Sequence, residues 1–329
     1  MKISPLVAMH RRAGFQVSSY RGSETLEETE TREKPAFYDA SWRSVLAVSG
    51  ADARKWLNGM ITANVRDLAP GRVAPSFQLD PKGHILAMFD VACIAADEFL
   101  LLSDELQVAG LEERLRKFVF ISKLTLEGRS ERFSPLIISG ETARAAWATP
   151  PAPGACAEWG DGWALGATVN GAAQAEIWQS PAAIAELWRT LSHNAQAGGW
   201  KQFERQRILS GEPAYGEEIT GTELVQETGE LSRLDYTKGC YVGQEIVERV
   251  RARGAVHRHL VRFHLQGPVA SGTAVEVAGV AVGRITSVTL HNGHNGQKPS
   301  YIALGYIRDP HAQAGTVVTA GAVTGEVEA

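Results

Sequence analysis

The chain has 329 residues, a length that usually divides into two or three domains. Its composition is that of a globular protein, with 44% hydrophobic and 21% charged residues. The formal net charge of −4 gives no global attraction to nucleic acid, so any basic binding surface has to be local. No apolar run is long enough to span a bilayer, and the first residues do not resemble a secretory signal. We therefore expect a cytoplasmic protein without a membrane partner.

The beginning of the chain is polar before it becomes regular. Residues 1–35 are expected to form an N-terminal segment, and its acidic part from 19 to 35 is expected to be a mobile loop. Further on, apolar runs at 73–80 and 84–95 predict two strands. The intervening Asp80-Pro81-Lys82-Gly83 suits a tight turn, so these strands are expected to form a hairpin.

Helical and strand patterns alternate through the middle of the chain. Val108, Leu111 and Leu115 recur at helical spacing, and Ser180-Pro181 begins a second clear helix. This interleaving favours an α/β or α+β body over residues 36–254, with an internal loop near 149–162. After Gly254, short alternating strands are separated by glycine-rich turns. Residues 255–329 are therefore predicted to form a small antiparallel β-barrel or sandwich.

The common cofactor motifs are absent from the sequence. It contains no P-loop, no dinucleotide fingerprint after a strand, no HExxH and no nucleophile elbow. The nine histidines and three cysteines do not have the spacing of a metal site or of a disulfide framework. No stably bound metal is predicted.

The stretch "KGCYVGQE" stands apart from the rest, because packing does not explain its composition. Residues 244–253 predict a short helix, which places Cys240 just before a helix N-terminus and two residues from Lys238. Both features favour a reactive thiolate. Gly239 and Gly243 permit backbone conformations that other residues avoid and leave the sulfur accessible.

Two alternatives stay open at this point. Cys240 could be an inert thiol packed in a strand-to-helix connection. A group of nearby arginines could be either a solvated face or a patch for an anionic tail or a phosphate; these are Arg249, Arg251, Arg253, Arg258 and Arg262.

The motif from Lys238 through Gly239, Cys240, Tyr241, Gly243 and Gln244 to Glu245 resembles the K-G-C-[FY]-x-G-Q-E motif of the YgfZ family. Other stretches, including "LDPKGHIL" and "ERQRILSGEPAYGEEI", are similar to the related glycine-cleavage T-protein. The resemblance implies an α+β, GcvT-like fold. It further implies a three-lobed ring of two interlocked α/β lobes and a C-terminal antiparallel β-barrel, with a folate pocket at its centre.

The two carboxylates expected of a T-protein are missing by this alignment. Met88 stands at the place of the catalytic acid, with Asp90 two residues on, and Leu209 stands at the place of the pterin-binding acid. A folate can still bind through ring stacking and salt links to its tail, for which Trp42, Trp200 and Arg249 are candidates. Three acids could replace the missing ones: Glu204, Glu217 and Glu218.

The resemblance thus implies an accessory protein for the assembly or repair of iron–sulfur proteins, with Cys240 as its functional thiol. Its expected cofactor is tetrahydrofolate or another folate, and its expected partners are iron–sulfur client or assembly proteins. One alternative is a tetrahydrofolate-dependent aminomethyltransferase, and whether the protein is an enzyme stays open. A second alternative is a tRNA-associated modification factor, although no direct nucleic-acid binding is expected. A monomer is expected.

Overall fold

The computed structural model describes residues 1–29, 35–140, 142, 151–169, 172–254, 256–291 and 299–328. Residues 30–34 of the predicted acidic loop, residues 149–150 of the predicted internal loop, and residues 292–298 lie outside this set. The chain divides into two compact units. The first is Met1–Gln78, Ala87–Phe203 and Arg233–Tyr241, and the second is Leu79–Leu86, Glu204–Ser232 and Val242–Ala329.

Local signals mark the start of one helix and the end of another. In the described residues the helices are α1 (Val7–Arg12), α2 (Ala53–Met60), α3 (Glu105–Arg116), α4 (Pro181–Ser192), α5 (Trp200–Ser210), α6 (Val225–Thr228) and α7 (Gln244–Arg253). The hydroxyl of Ser180 accepts a hydrogen bond from the Ala183 amide at the start of α4. Gly254 ends α7 in a left-handed conformation with φ of 70°. In the part of the chain that the structure describes, no helix is long and apolar enough to cross a membrane.

A small sheet includes the first part of the segment expected to be a mobile loop. Its strands are β1 (Lys2–Ile3), β2 (Val17–Tyr20) and β3 (Ser23–Leu26), in the order β1-β3-β2. The loop prediction is therefore wrong for residues 19–26. Ser23 and Thr25 are buried, and their hydroxyls donate to the carbonyl oxygens of Ser41 and Asp39. Hydrogen bonds to residues distant in the sequence satisfy these polar side chains. Their polarity alone predicts a solvent-exposed position.

A five-stranded sheet carries the predicted hairpin. It consists of β5 (Arg43–Ser49), β6 (Arg72–Leu79), β7 (Ile85–Ala95), β8 (Glu98–Asp104) and β9 (Thr125–Gly128), in the order β6-β7-β8-β5-β9. Strand β5 is buried on both faces. Leu46 and Val48 pack in a core with residues of α2 and α3, whereas Val45 and Ala47 pack in another with Trp178.

A six-stranded sheet completes the first unit. Its strands are β4 (Phe37–Asp39), β10 (Ser134–Ser139), β11 (Cys156–Trp159), β12 (Gly162–Val169), β13 (Ala172–Gln179) and β14 (Ala197–Gly198), in the order β11-β12-β13-β10-β4-β14. Helix α4 covers this sheet, with Ile184 and Trp188 packed in one core with Leu136 and Ile177.

The second unit contains a closed barrel, which confirms the barrel rather than the sandwich. Its strands are β15 (Arg258–Leu265), β16 (Ala274–Val277), β17 (Val280–His291), β18 (Ser300–Arg308), β19 (Val317–Ala320) and β20 (Val323–Glu328), in the order β15-β18-β17-β16-β19-β20. Phe263, Leu265, Ile285 and Ile307 belong to its core. The compact unit is larger than the predicted domain 255–329, because it includes segments that precede the barrel.

Candidate functional site

The segment Arg233–Tyr241, which contains the first part of the cysteine motif, is tied to the chain around Thr62. The Thr62 hydroxyl donates to the carbonyl oxygen of Arg233 at 2.6 Å, and the Asp235 amide donates to the carbonyl oxygen of Thr62 at 3.2 Å. The Asp235 carboxylate in turn accepts hydrogen bonds from the amide and hydroxyl of Thr237. The backbone leading to Cys240 is therefore held by a network of hydrogen bonds.

Lys238 is buried beneath this segment, with only 1% of its surface exposed. Its ammonium donates to the carbonyl oxygens of Ile61 and Ala63 at 2.6 and 2.5 Å, and it lies 5.2 Å from the centre of the Tyr241 ring. Burial lowers the pKa of Lys238 to about 7, against the opposing effect of Asp235. Lys238 thus anchors the segment, and near neutral pH it carries only part of the positive charge expected beside the thiol.

Cys240 is exposed, whereas the other two cysteines are buried. By contrast, Lys238, two residues before it, and Tyr241, directly after it, are both buried. Gly239 and Gly243 adopt φ angles of 94° and 85°, which lie in the left-handed region. The structure therefore presents the sulfur on a short stretch between two buried anchors. The packed-thiol alternative does not apply to Cys240.

The predicted helix after the motif is α7, and Gly243 is its N-cap residue. Gln244 is half-buried at its first position, while Glu245 is exposed and pairs with Arg249 at 2.5 Å. Arg251 likewise pairs with Glu248 of the same helix at 3.5 Å. These intrahelical pairs are typical of a solvated helix face. The prediction that Arg249 contacts a folate stays a prediction.

An ionic cluster around Asp90 was not predicted from sequence. The Asp90 carboxylate lies 3.2 Å from the guanidinium of Arg233 and 3.5 Å from that of Arg43. Arg43 also pairs with Asp104 and Glu176, and those carboxylates raise its pKa against the effect of burial. In the sequence, a charged residue at the start of an apolar strand, here Arg43 in β5, is a local signal that can indicate such a cluster. The Asp90 carboxylate is 32% exposed and can accept further hydrogen bonds from a ligand.

The two tryptophans proposed as stacking partners have different surroundings. Trp42 is 1% exposed and packs against Tyr20 and Phe203 in an aromatic core. Trp200 is half-buried, stacks on Tyr20 with a centroid distance of 4.8 Å, and donates its indole N–H to Ser18. Trp42 therefore has a packing role in this structure. Trp200 is the one of the two with part of its surface open to a ligand.

Met88 and Leu209 stand where the two carboxylates of a T-protein are expected, and both are half-buried. Met88 exchanges two backbone hydrogen bonds with the side chain of Gln107, and Leu209 packs against a cluster that contains Ile302 and Leu304. Neither position has a carboxylate of its own.

Two of the acids considered as replacements have structural roles in the second unit. Glu218 is buried and accepts hydrogen bonds from the guanidinium of Arg207, the amide of Ala214 and the hydroxyls of Thr286 and Ser287. Glu204 pairs with Arg207 at 2.8 Å. Glu217 is exposed. These contacts account for Glu218 and Glu204 without a ligand.

Comparison with known proteins gives relatives over most of the chain. The sequence profile of the GCVT N-terminal domain matches residues 6–149. A tRNA-modifying protein YgfZ from Sodalis glossinidius is 27% identical over 248 residues, 71% of this chain and 73% of that protein. An aminomethyltransferase from Burkholderia multivorans is 24% identical over 323 residues, 83% of this chain and 86% of that protein.

A solved structure agrees with the fold described above. The glycine cleavage system aminomethyltransferase T from Bartonella henselae superposes with a TM-score of 0.88 at 18% identity, covering 100% of this chain and 97% of that one. The similarity shows that the two chains share a fold. In the described part of the chain, no group of three or more His, Cys, Asp or Glu side chains is arranged to hold a metal ion.

Proposed function

Because this chain belongs to the YgfZ/GcvT-like family, we propose that it is a folate-binding protein related to tRNA modification. In finer terms, it assists the assembly or repair of iron–sulfur proteins and uses Cys240 as its functional thiol. Effects on tRNA modification then arise indirectly, when the client is a cluster-containing modifying enzyme.

The observation that carries this proposal is the presentation of Cys240. Its sulfur is exposed while Lys238 and Tyr241, close on either side, are buried. An exposed thiol on a well-anchored backbone suits transient bonding to a metal centre or to a partner sulfur, because little ordering entropy is lost when the contact forms. One thiol supplies a single ligand, so a cluster would need further ligands from a client.

Folate binding is supported by the chemistry around Asp90. A pterin ring presents paired N–H donors, and a carboxylate is the protein group that best accepts two of them. Asp90 is partly exposed and is held between Arg43 and Arg233. We propose that Asp90 serves this role in place of the carboxylates absent at Met88 and Leu209. Trp200 and Arg249 stay proposed as the stacking and tail contacts.

Complementation tests the thiol role. In a strain that lacks its own copy of the protein, the wild-type chain should restore the activity of iron–sulfur enzymes and the level of cluster-dependent tRNA modification. Cys240→Ser should fail to restore either, whereas Cys156→Ala, which removes a buried thiol, should restore both if it folds. Full rescue by Cys240→Ser would show that the thiol is dispensable.

Titration with tetrahydrofolate tests the folate role separately. Quenching of tryptophan fluorescence should saturate in the wild-type chain, and Asp90→Asn should weaken the affinity at least tenfold. Asp97→Asn, which neutralises an exposed turn residue, is the matched control and should bind like the wild type. Equal affinity of the two variants would contradict the role of Asp90, and no saturable binding by the wild type would contradict folate binding itself.

An aminomethyltransferase is the second candidate, and the same aspartate is the observation that favours it. One-carbon transfer needs a group that stabilises charge on the reacting pterin nitrogen, and Asp90 is the nearest carboxylate in sequence to Met88. Release of ammonia and formation of methylenetetrahydrofolate from an aminomethylated carrier would support it. Absence of turnover by a chain that binds tetrahydrofolate would exclude this carrier as the substrate.

A further inference from the structure

A groove of about 580 Å³ on the barrel is lined by three arginines and a tyrosine: Arg258, Arg284, Arg308 and Tyr306. We refer to it as the arginine groove. Core residues of these strands, such as Phe263 and Ile307, point into the barrel, so the alternation of side chains places the groove residues on its outer face. The loop residues Thr220, Thr222 and Glu223 form another wall. The volume of the arginine groove is in the range of small-molecule sites.

Strand register brings the three arginines together. Arg258 of β15 and Arg308 of β18 are direct cross-strand partners, and Arg284 of β17 is the partner of Tyr306. Tyr306 and Arg308 are two residues apart on β18 and therefore share a face. Like charges directly opposite each other destabilise a sheet. A negative charge close to the three arginines would therefore stabilise this arrangement.

Among the described residues, carboxylates pair with only one of the three arginines. Arg258 pairs with Glu227 at 3.1 Å and with Glu223 at 3.5 Å. Arg284 and Arg308 are exposed and form no ion pair or hydrogen bond with any residue that the structure describes. Three arginines against two carboxylates leave an excess positive charge in the groove.

The carboxylate that also lines the groove is already engaged. Glu223 accepts hydrogen bonds from the amides of Thr220 and Thr222 and from their hydroxyls, besides pairing with Arg258. Although burial alone would raise the pKa of Glu223, these bonds lower it, so the group stays ionised and neutralises Arg258. Glu223 forms no ion pair with Arg284 or Arg308.

Tyr306 adds a second, independent indication of a ligand. It is 5% exposed, its ring lies 4.7 Å from the guanidinium of Arg258, and its hydroxyl has no hydrogen-bond partner among the described residues. A buried hydroxyl without a partner is destabilising, because it has lost its hydrogen bonds to water without replacement. An anionic oxygen bound in the groove can accept a hydrogen bond from this hydroxyl.

We propose that the arginine groove binds a phosphate group. A carboxylate has two oxygens in one plane, which a single guanidinium can satisfy, whereas a phosphate presents several oxygens in different directions. Guanidinium groups on three strands match the phosphate better. The phosphate can belong to a free small molecule or to an RNA backbone, and the two sources are separated by the probes below.

The test is a titration of the full chain with inorganic pyrophosphate by calorimetry, in parallel with a short RNA duplex and with glutamylglutamate. The variant is Arg284→Gln/Arg308→Gln, which removes two exposed side chains and should fold. The matched control is Arg132→Gln/Arg189→Gln, which removes the same charge from exposed positions of the first unit. A third variant, Tyr306→Phe, removes only the hydroxyl.

We expect the groove variant to lose at least tenfold in affinity for the phosphate probe, Tyr306→Phe to lose a few fold, and the control to bind like the wild type. Binding of pyrophosphate identifies a small phosphate compound as the source. Binding of RNA alone, lost in the groove variant, identifies the nucleic-acid backbone. Binding of neither, equal loss in the control variant, or a preference for glutamylglutamate would overturn the proposal.

Discussion

The ammonium of Lys238 donates a hydrogen bond to the carbonyl oxygen of Ile61 at 2.6 Å, 177 positions away along the chain. A second bond joins it to Ala63, and burial holds its pKa near 7. This lysine, two residues before the exposed Cys240, therefore has a role in the fold as well as in the motif.

Lys238 should make stability depend on pH. Its pKa is about 7 in the folded chain and 10.5 in the unfolded chain. Between these values the unfolded chain holds a proton that the folded chain has released. The free energy of unfolding should therefore rise with pH by about 1.4 kcal/mol per unit in this window. Below pH 7 both states are protonated and this contribution is flat.

Urea denaturation from pH 6 to 9.5 checks this, with Lys238→Met as the comparison. Methionine fills a similar volume without titrating, so the difference in unfolding free energy between wild type and variant isolates the lysine. That difference should change little below pH 7 and move in favour of the wild type above it. A difference that is constant over the whole range would contradict the lowered pKa.

Thiol labelling should distinguish the three cysteines. Only Cys240 is exposed, while Cys93 and Cys156 are 0% and 7% exposed. A disulfide reagent such as Ellman's should therefore modify one thiol per chain rapidly in the native protein and three after unfolding. Cys240→Ser should abolish the rapid phase. Rapid modification of two or more thiols in the native chain would show that the buried cysteines are accessible.

Substitution of the two motif glycines should have unequal effects. An alanine Cβ at Gly243 would lie 2.6 Å from the carbonyl oxygen of Asp80, whereas one at Gly239 would have no atom within 4 Å. Both positions have positive φ, which alone costs about 1–2 kcal/mol. Gly243→Ala should therefore destabilise the chain more than Gly239→Ala, by roughly 1–3 kcal/mol. Thermal or urea unfolding gives the comparison, and equal losses would argue against the contact with Asp80.

The buried carboxylate of Glu218 should matter for stability more than an exposed one. Glu218→Gln removes one of the two carboxylates that pair with the buried guanidinium of Arg207 and leaves Glu204 as the other, which should cost roughly 1–3 kcal/mol in unfolding free energy. Glu326→Gln, at an exposed position of β20, should change it by no more than about 0.5 kcal/mol. A neutral result for Glu218→Gln would reopen its assignment as a ligand-binding acid.

Local patterns were sufficient for much of the fold. The apolar spacing in α3, the Ser-Pro start of α4 and the alternating strands of the barrel are all present as predicted. These features depend on neighbouring residues, and a period of two or of 3.6 is visible in the sequence. The hairpin β2–β3 was missed because its polar side chains are satisfied by partners outside the segment.

The site was harder to predict than the fold, because its contacts are long-range. Lys238 appears in the sequence as a charge beside a thiol, and nothing local indicates that its partners are the carbonyls of Ile61 and Ala63. Asp90 and Arg233 meet across 143 positions. Residue type and motif spacing therefore led to the prediction of Cys240 as the functional thiol, while the groups that position it depend on the tertiary structure.

The two buried anchors around Cys240 limit how far its sulfur can move. Gly239 and Cys240 are the only residues between Lys238 and Tyr241, both of which are buried in the first unit. So short a tether cannot extend toward a distant acceptor. Under the function proposed above, a client therefore has to carry its own cluster or sulfur to the thiol, and the shape of the surface around Cys240 decides which clients can approach it closely.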